Sequence, residues 1–399
     1  MMEPETLLHH LFDVAVAAAD PMAVVPAALP PRPDGRVVVV GAGKASARMA
    51  EAVESVWGPC EGLVITRYGY ARPCRGIEIV EAGHPVPDLA GVAATERMLD
   101  LLAGLGEGDF VLALISGGGS ALLCAPAEGL TLADKQAVNA ALLASGAPIG
   151  QMNAIRKHLS RVKGGQLAAA AYPARMLALV ISDVPGDDLA FIASGPTVGD
   201  ATPVAAARAV AGRYGVAMPE VPSGVITPGD ERLSRCETRI IAAPSRSLQA
   251  AAEAAGLPVT ILGDALEGEA ADLGAEQARM ALAAGGPRLF LSGGECTVTL
   301  RDATGTGGPN AEFVLSALAT LQGAPGIYVL ACDTDGVDGA AEVAGALIGP
   351  ETWARTSAVE VAEALENHDA HGIFARIGAQ VITGPTLTNV NDFRAVLVL

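Results

Sequence analysis

The amino-acid sequence predicts an α/β protein of two domains, the larger of which is built on a doubly wound parallel sheet. The chain has 399 residues, which is too long for one ordinary hydrophobic core. Hydrophobic residues make up 51% of the sequence but aromatic residues only 4%, so alanine, valine and leucine must fill packed helices and buried parallel strands. Short β-branched runs also alternate with alanine-rich helical segments, as in repeated strand-helix-strand units.

Five apolar runs in the first half of the chain predict the strands of the larger sheet. They cover residues 36–40, 62–66, 77–81, 110–115 and 176–181. Because a helical segment separates most of these runs, the strands are expected to be parallel, with helices on both faces. The first domain is therefore predicted to be Rossmann-like.

The second half of the chain repeats the alternation and predicts a smaller α/β domain. Its expected strands cover 239–242, 259–262, 289–291, 296–300 and 327–331, and its expected helices cover 245–255, 269–284 and 310–321. Between the halves, residues 214–237 are rich in proline, glycine and charge without a sustained period. We therefore expect domains over residues 1–225 and 238–399, with the active site in the cleft between them.

Charge and cysteine usage exclude several classes of protein. A formal charge of −18 opposes non-specific binding to nucleic acid or to an anionic membrane. The six cysteines show no C-x-x-C spacing, which argues against a zinc site or a disulfide framework. The first 20 residues lack a basic leader, and no run reaches the roughly 20 apolar residues of a membrane span. The sequence predicts a cytoplasmic protein and is compatible with a homo-oligomer.

The first strand ends in a glycine turn that carries a lysine, in the stretch VVVVGAGKAS. Gly41 and Gly43 permit a sharp turn, after which Lys44 enters the next helix. A Walker A loop would need glycine at Val38, and the dinucleotide fingerprint G-x-G-x-x-G would need it at Ser46. The turn is interpreted either as part of a nucleotide site or as an ordinary strand-to-helix turn with a solvated lysine.

A second glycine loop, SGGGS, follows the strand at 110–115. Its members are Ser116, Gly117, Gly118, Gly119 and Ser120. Glycine permits a positive φ and the close approach of a ligand to backbone N–H groups. A helix that starts near Ser120 would add the positive end of its dipole to the same place. The loop is therefore a candidate phosphate site, with a tight turn capped by serine as the alternative.

Acidic side chains follow three other strands. Asp183 and Asp187 come after the strand at 176–181, where they could hold Mg²⁺ or could form an Asx turn and a helix cap. In the second half, Glu295 lies beside a glycine turn and Asn310 opens a helix, which makes both candidates for cofactor binding. A further aspartate run, DTDGVDG, begins at Asp333.

A basic segment, NAIRKHLSRVKGG, stands out in this acidic chain. Its composition predicts a helix capped by Asn153 and stopped at Gly164. Helical spacing then buries Ile155, Leu159 and Val162, puts Arg156, Ser160 and Lys163 on an adjoining flank, and turns Lys157 and Arg161 away. That flank could neutralise a carboxylate or phosphate, or it could be a solvated charged face. His84, between glycine and proline, is expected to be structural.

Taken together, the motifs GAGKAS, AGHPVPD, LISGGGSALL, NAIRKHLSRVKGG, ISDVPGDDLAFIASGPTVGD, SGGECTVTL, GTGGPNAEF, DTDGVDG and TGPTLTNVND resemble the class II glycerate 2-kinases. The C-terminal half of that family is the MOFRL domain. The resemblance implies phosphorylation of D-glycerate to 2-phosphoglycerate with ATP and Mg²⁺. It also implies that Lys44, Asp183 and Arg156 are catalytic residues, and that residues 116–120 are the family's glycine loop.

Two positions depart from the family pattern. Pro309 stands where the family usually has a catalytic arginine, and Leu387 stands where glycine is common. Some family members carry the name hydroxypyruvate reductase, so an NAD(P)H-dependent reductase is the second hypothesis. A nicotinamide site usually needs a third glycine in the dinucleotide fingerprint and an acidic residue at the end of the next strand, and this sequence has neither. A non-catalytic sensor of sugar phosphates is the third.

Overall fold

A computed structural model describes residues 2–221, 224–299 and 305–399. Its helices are α1 (Pro4–Ala17), α2 (Pro21–Ala28), α3 (Ser46–Trp57), α4 (Leu89–Leu102), α5 (Gly119–Leu122), α6 (Leu132–Ala144), α7 (Ile149–His158), α8 (Gln166–Ala171), α9 (Val204–Arg213), α10 (Pro244–Ala254), α11 (Ala270–Ala283), α12 (Pro309–Leu321), α13 (Ala358–Glu366) and α14 (Ala370–Ile377). Its strands are β1 (Val37–Ala42), β2 (Glu61–Arg67), β3 (Ile77–Ala82), β4 (Phe110–Ile115), β5 (Arg175–Ile181), β6 (Cys236–Ala242), β7 (Val259–Gly263), β8 (Gly268–Glu269), β9 (Arg288–Gly294), β10 (Cys296–Thr297), β11 (Ile327–Asp333), β12 (Gly345–Ile348), β13 (Gln380–Val381) and β14 (Asp392–Val398).

The chain divides into two compact units. The parallel-sheet unit contains residues 21–182 and 187–241, and the mixed-sheet unit contains the residues up to Asp20, the short segment 183–186 and residues 242–399. This division differs from the predicted domain bounds, because the first 20 residues belong with the second half of the chain. It also continues the first unit to Ile241, beyond the predicted linker.

The parallel-sheet unit confirms the predicted α/β fold class. Its six strands have the order β3-β2-β1-β4-β5-β6, and the pairs β3–β2, β2–β1, β1–β4 and β4–β5 are parallel. Strands β1 and β4 are buried throughout, as their unbroken valine and leucine runs require of strands covered on both faces. The run at 239–242 was expected to open the second sheet, but it lies in β6 at the edge of this one.

A buried carboxylate fixes the turn that leads into β3. Glu54 of α3 accepts hydrogen bonds from the backbone N–H groups of Arg75, Gly76 and Ile77, at 2.5, 2.7 and 2.9 Å. Burial alone would raise the pKa of this carboxyl, but these bonds and one from Cys60 outweigh it and lower the pKa. The ionised form of Glu54 therefore stabilises the edge of the sheet.

The mixed-sheet unit has a six-stranded sheet of order β13-β12-β11-β14-β9-β7. Only β7 and β9 pair in parallel, and the other pairs are antiparallel. The alternation expected here therefore did not give a second parallel sheet, because β14, for which no strand was predicted, returns between β11 and β9. In the strand expected at 296–300, only Cys296–Thr297 forms a strand, and Leu300 lies outside the described residues.

Helix α1 belongs to the core of the mixed-sheet unit. Its apolar face, made of Leu8, Leu11, Phe12 and Ala15, is buried, and the rings of Phe12 and Phe393 lie 5.9 Å apart. The stretch Pro4–Ala28 is long and apolar enough by composition to cross a membrane, with a mean hydropathy of 1.5. The structure breaks it into α1 and α2, and the buried face of α1 is that of a core helix.

Candidate active site

The strand order of the parallel-sheet unit places its two glycine turns side by side. In an open α/β sheet, ligands bind beyond the carboxyl ends of the strands, where the strand order reverses. Here that point lies between β1 and β4, and these strands end in the turn 41–44 and the loop 116–120. The sequence-predicted residues Gly41, Gly43, Lys44 and the 116–120 loop are therefore brought together in one place.

Hydrogen bonds hold the two turns against each other. The N–H of Lys44 donates to the carbonyl of Gly117 at 2.8 Å, and the N–H of Ala45 donates to the buried hydroxyl of Ser116 at 3.0 Å. A Cβ at Gly43 would lie 2.1 Å from the Oγ atom of Ser116, so only glycine permits this approach. Ser116 and Gly43 therefore have a structural role in shaping the loop.

The tip of the glycine loop faces two side chains with polar ends. Gly118 has a φ of 78°, and a Cβ there would lie 3.0 Å from the His84 ring and 3.2 Å from the Cγ atom of Lys44. The helix predicted after the loop, α5, has only four residues. It provides no extended helix dipole, so an anion at this loop would depend on backbone N–H groups and on nearby cations.

A basic cavity of about 250 Å³ opens beside the loop. The cavity is lined by the glycine loop, the turn after β3, helices α6 and α7, and the turns that contain Lys163 and Ser194. The polar lining residues are His84, Ser120, Lys135, Asn139, Arg156, Lys163 and Ser194. Three cations therefore converge on one small cavity in a protein of formal charge −18.

The three cations are poorly neutralised. Lys163 is 1% exposed and donates to the carbonyl of Ser120 at 2.7 Å, while burial and then repulsion by Lys135 hold its pKa well below the ordinary value. Burial also lowers the pKa of Lys135 and of Arg156. Within the described parts of the chain, the Nζ of Lys135 and the Nε of Arg156 are buried without a hydrogen-bond partner. An anion in the cavity would therefore supply the partners that these groups lack.

The basic segment does not form the predicted helix. Helix α7 covers Ile149–His158 and starts after Pro148, four residues before the expected cap. Beyond His158 the backbone pairs with residues 125–127 instead, since the N–H of Arg161 donates to the carbonyl of Ala125 and the N–H of Ala127 to that of Leu159. The shared helical flank was therefore wrong for Ser160 and Lys163. Arg156 and Lys163 nevertheless both reach the cavity.

Lys157 was also placed wrongly by helical spacing. It is 4% exposed and forms a buried ion pair with Asp200 at 2.5 Å, rather than pointing away from the core. Arg161, as predicted, points outward, and it pairs with Glu96 at the surface. Lys135 was missed altogether, because the α6 sequence LADKQAV reads as a solvated helix start. No local signal shows that packing buries this lysine.

The acidic candidates fall in both units. Asp183 belongs to the mixed-sheet unit, where its carboxylate accepts from the Nδ2 of Asn389 at 3.3 Å and its carbonyl from the Nδ2 of Asn391 at 3.1 Å. Asp187 belongs to the parallel-sheet unit, with a φ of 56°. Its Oδ1 atom is buried and has no hydrogen-bond partner within the described residues.

The two candidates in the second half of the chain have different surroundings. Glu295 is exposed after β9. Asn310 is buried at the start of α12, and its Nδ2 donates to the Oδ1 of Asp392 at 2.7 Å. The carboxylate of Asp338 accepts from the N–H groups of Asn310 and Ala311 at 2.9 and 2.8 Å, and so caps this helix. Asn310 is therefore part of an internal network.

Pro309, at the position of the family's usual arginine, is the first residue of α12. Proline suits this position, because its missing N–H would have no helical partner there. Within the described residues, no group of three or more histidine, cysteine or carboxylate side chains is arranged to hold a metal ion. A magnesium ion needs fewer protein ligands than that, because it usually keeps several waters and binds substrate phosphates.

Comparisons with known proteins show the family to which this chain belongs. A domain of unknown function (DUF4147) matches residues 7–227, and the MOFRL family matches residues 288–392. A D-glycerate 2-kinase of Thermotoga maritima is 37% identical, with 98% of each chain covered. The chain belongs to the MOFRL family of glycerate 2-kinases. The crystal structure of the glycerate kinase from Thermotoga maritima superimposes with a TM-score of 0.88 at 36% identity, covering 99% of each chain.

A second relative of this MOFRL protein bears a different name. A protein of Agrobacterium vitis that is provisionally named a hydroxypyruvate reductase is 52% identical over 98% of this chain and 94% of its own length. Proteins similar to this chain over nearly its whole length thus carry two different activities in their names.

Proposed function

We propose that this protein is a glycerate 2-kinase that transfers the γ-phosphoryl group of ATP to the 2-hydroxyl of D-glycerate, with Mg²⁺. The observation that carries the proposal is the basic cavity beside the glycine loop at the switch point of the parallel sheet. A small substrate with a carboxylate, and a phosphoryl group in transit, are the anions that such a cavity would accept. The relatives named glycerate kinase support the same substrate class.

The chemistry assigns a task to each group. The 2-hydroxyl oxygen attacks the γ-phosphorus, the bond from phosphorus to the bridging oxygen breaks, and ADP leaves, while the hydroxyl proton passes to a base. Because such a transition state needs little covalent help, the protein mainly positions the reactants and neutralises charge. Arg156 binds the glycerate carboxylate through its planar guanidinium, and Lys44 contacts the moving phosphoryl group.

The remaining candidates serve the nucleotide and the metal. Asp183 is proposed as the base for the 2-hydroxyl, and Asp187 as a ligand of Mg²⁺, since its buried Oδ1 lacks a partner among the described residues. A bound magnesium ion would offset charge on the nucleotide phosphates. Glu295 and Asn310 remain candidates for nucleotide binding. Because residue 309 is proline, the cations of the cavity and Lys44 neutralise the charge of the transferred group.

Two assays on one preparation test this function against a reductase. ADP release with D-glycerate, ATP and Mg²⁺ is expected, and chelation of Mg²⁺ should abolish it. Phosphorus NMR should show the product phosphate on a carbon that carries one hydrogen. The 52% identical relative favours a reductase, which would instead oxidise NADH or NADPH with hydroxypyruvate. Oxidation of the nicotinamide without ADP release would overturn the kinase proposal.

A further inference from the structure

The distribution of lysine in this chain is unusual. Only four of the 26 basic residues are lysines, and all four lie in the parallel-sheet unit. Lys135 and Lys163 line the basic cavity, and the side chain of Lys44 lies beside Gly118 at its edge. The fourth, Lys157, is neutralised by Asp200. Two of the four lysines thus line one cavity, and a third lies next to its glycine loop.

Lysine differs from arginine in ways that matter at such a site. Its ammonium is a compact point charge on a flexible stem, and its pKa responds readily to burial, whereas a guanidinium stays charged. A compact cation can follow a phosphoryl group between donor and acceptor oxygens. A planar guanidinium suits a fixed carboxylate better, because it makes two parallel hydrogen bonds.

Lys135 is the cation of the cavity whose charge has the least compensation. It is 8% exposed, and its Nζ atom is buried with no hydrogen-bond partner among the described residues. Its charged neighbours are Arg156 and Lys163, and both repel it. Burial of an ammonium without a partner is unfavourable, so the unliganded protein keeps Lys135 there at the expense of its own stability.

We propose that Lys135 is a substrate-binding residue that holds the transferred phosphoryl group beside the carboxylate bound by Arg156. This inference rests on the proposed function and adds to it a residue and a specificity. The cavity is small, so both anionic groups of the phosphorylated product must share it. The protein should therefore bind 2-phosphoglycerate more tightly than D-glycerate, and Lys135 should account for much of the difference.

The decisive variant is Lys135→Met, which keeps the length of the side chain and removes the charge. Thermal unfolding and calorimetric titration are measured with D-glycerate and with 2-phosphoglycerate. The unliganded variant should melt no lower than the wild type, because the unpaired charge is gone. The Kd of 2-phosphoglycerate should rise about thirtyfold, as expected for loss of a charge-assisted contact, while that of D-glycerate changes less than threefold.

Arg161→Gln is the matched control, because it removes a surface charge of the same unit that pairs with Glu96 outside the cavity. It should leave both Kd values within twofold of the wild type. A purely structural lysine would give the opposite pattern in Lys135→Met, with a lower melting temperature and unchanged binding of 2-phosphoglycerate. That result would overturn the inference.

A second measurement uses the small number of lysines. Biosynthetic incorporation of ¹³C-lysine labels the four lysine side chains without modifying them, so the few NMR signals can be assigned by single variants. In a pH titration, the Lys135 signal should give a pKa below the usual lysine range, and this pKa should rise when 2-phosphoglycerate binds. A pKa that is the same with and without 2-phosphoglycerate would overturn the inference.

Wild-type ADP release with D-glycerate separates the two proposals. If the wild type turns over and Lys135→Met binds 2-phosphoglycerate normally, the inference is wrong and the proposed function stands. If the wild type does not turn over but binds 2-phosphoglycerate in a manner dependent on Lys135, the proposed function is wrong and the anion site stands.

Discussion

Replacing Gly118 by alanine perturbs the glycine loop at the point where it faces Lys44 and His84. An L-residue in the left-handed region costs about 1 to 2 kcal/mol, and Gly118 has a φ of 78°. The added Cβ would also lie 3.0 Å from the His84 ring, so the loop or the ring has to move by a few tenths of an ångström. The free energy of unfolding should therefore fall by about 1 to 2 kcal/mol.

The variant should also lose activity. Misplacement of a reacting group by about 1 Å can cost about a hundredfold in rate, so a shift of a few tenths of an ångström should lower kcat/KM for D-glycerate by about threefold to tenfold. Gly129→Ala is the matched control. Gly129 has a φ of 81°, is exposed, and has no atom within 4 Å of the position of the added Cβ.

Both variants are compared by urea unfolding and by steady-state ADP release. Gly118→Ala should lose at least as much stability as Gly129→Ala, because the backbone penalty is the same and only Gly118 adds a tight contact, but only Gly118→Ala should lose activity. If the two variants retain equal kcat/KM, the loop does not position the reactants and the reasoning is refuted.

Three further changes test other groups. Lys44→Ala should abolish turnover without unfolding the protein, and a kcat above about a tenth of the wild-type value would contradict its role. Arg156→Lys should raise KM for D-glycerate about tenfold through loss of the bidentate contact, and an unchanged KM would exclude that contact. Glu54→Gln should lower the free energy of unfolding by about 2 kcal/mol at pH 7 in urea titrations. Because folding lowers the pKa of Glu54, this contribution is present above the unfolded pKa and is lost as pH falls through the folded one, so a difference that persisted at low pH would contradict the assignment.

The strands of the parallel sheet could be predicted because each is an unbroken apolar run with a turn at its end. For β4 the predicted and observed bounds are the same, and for β1 they differ by two residues or fewer. The sheet to which β6 belongs and the antiparallel course of β14 could not be predicted, since strand pairing depends on contacts between distant segments. DFRAVLV nevertheless contains the apolar run of a strand.

The candidate site could be predicted only where a local motif carries it. The glycine turns are local, and β1 and β4 bring them together at the sheet edge. Lys135 and Lys163 are buried by tertiary packing, for which a helix period contains no information. In the basic segment the period was misleading, because pairing of residues 159–161 with 125–127 replaces the last helical turn.

The position of α1 in the mixed-sheet unit has a consequence for synthesis of the chain. During synthesis α1 is made about 380 residues before Phe393, on which Phe12 packs. At about 5 to 20 residues per second, the apolar face of α1 waits roughly 20 to 80 seconds for its partner strand. The residues of the parallel-sheet unit come between α1 and β14 in the sequence, so that unit can fold during the delay. Until β14 is made, the nascent helix therefore depends on chaperones or on temporary contacts to avoid aggregation.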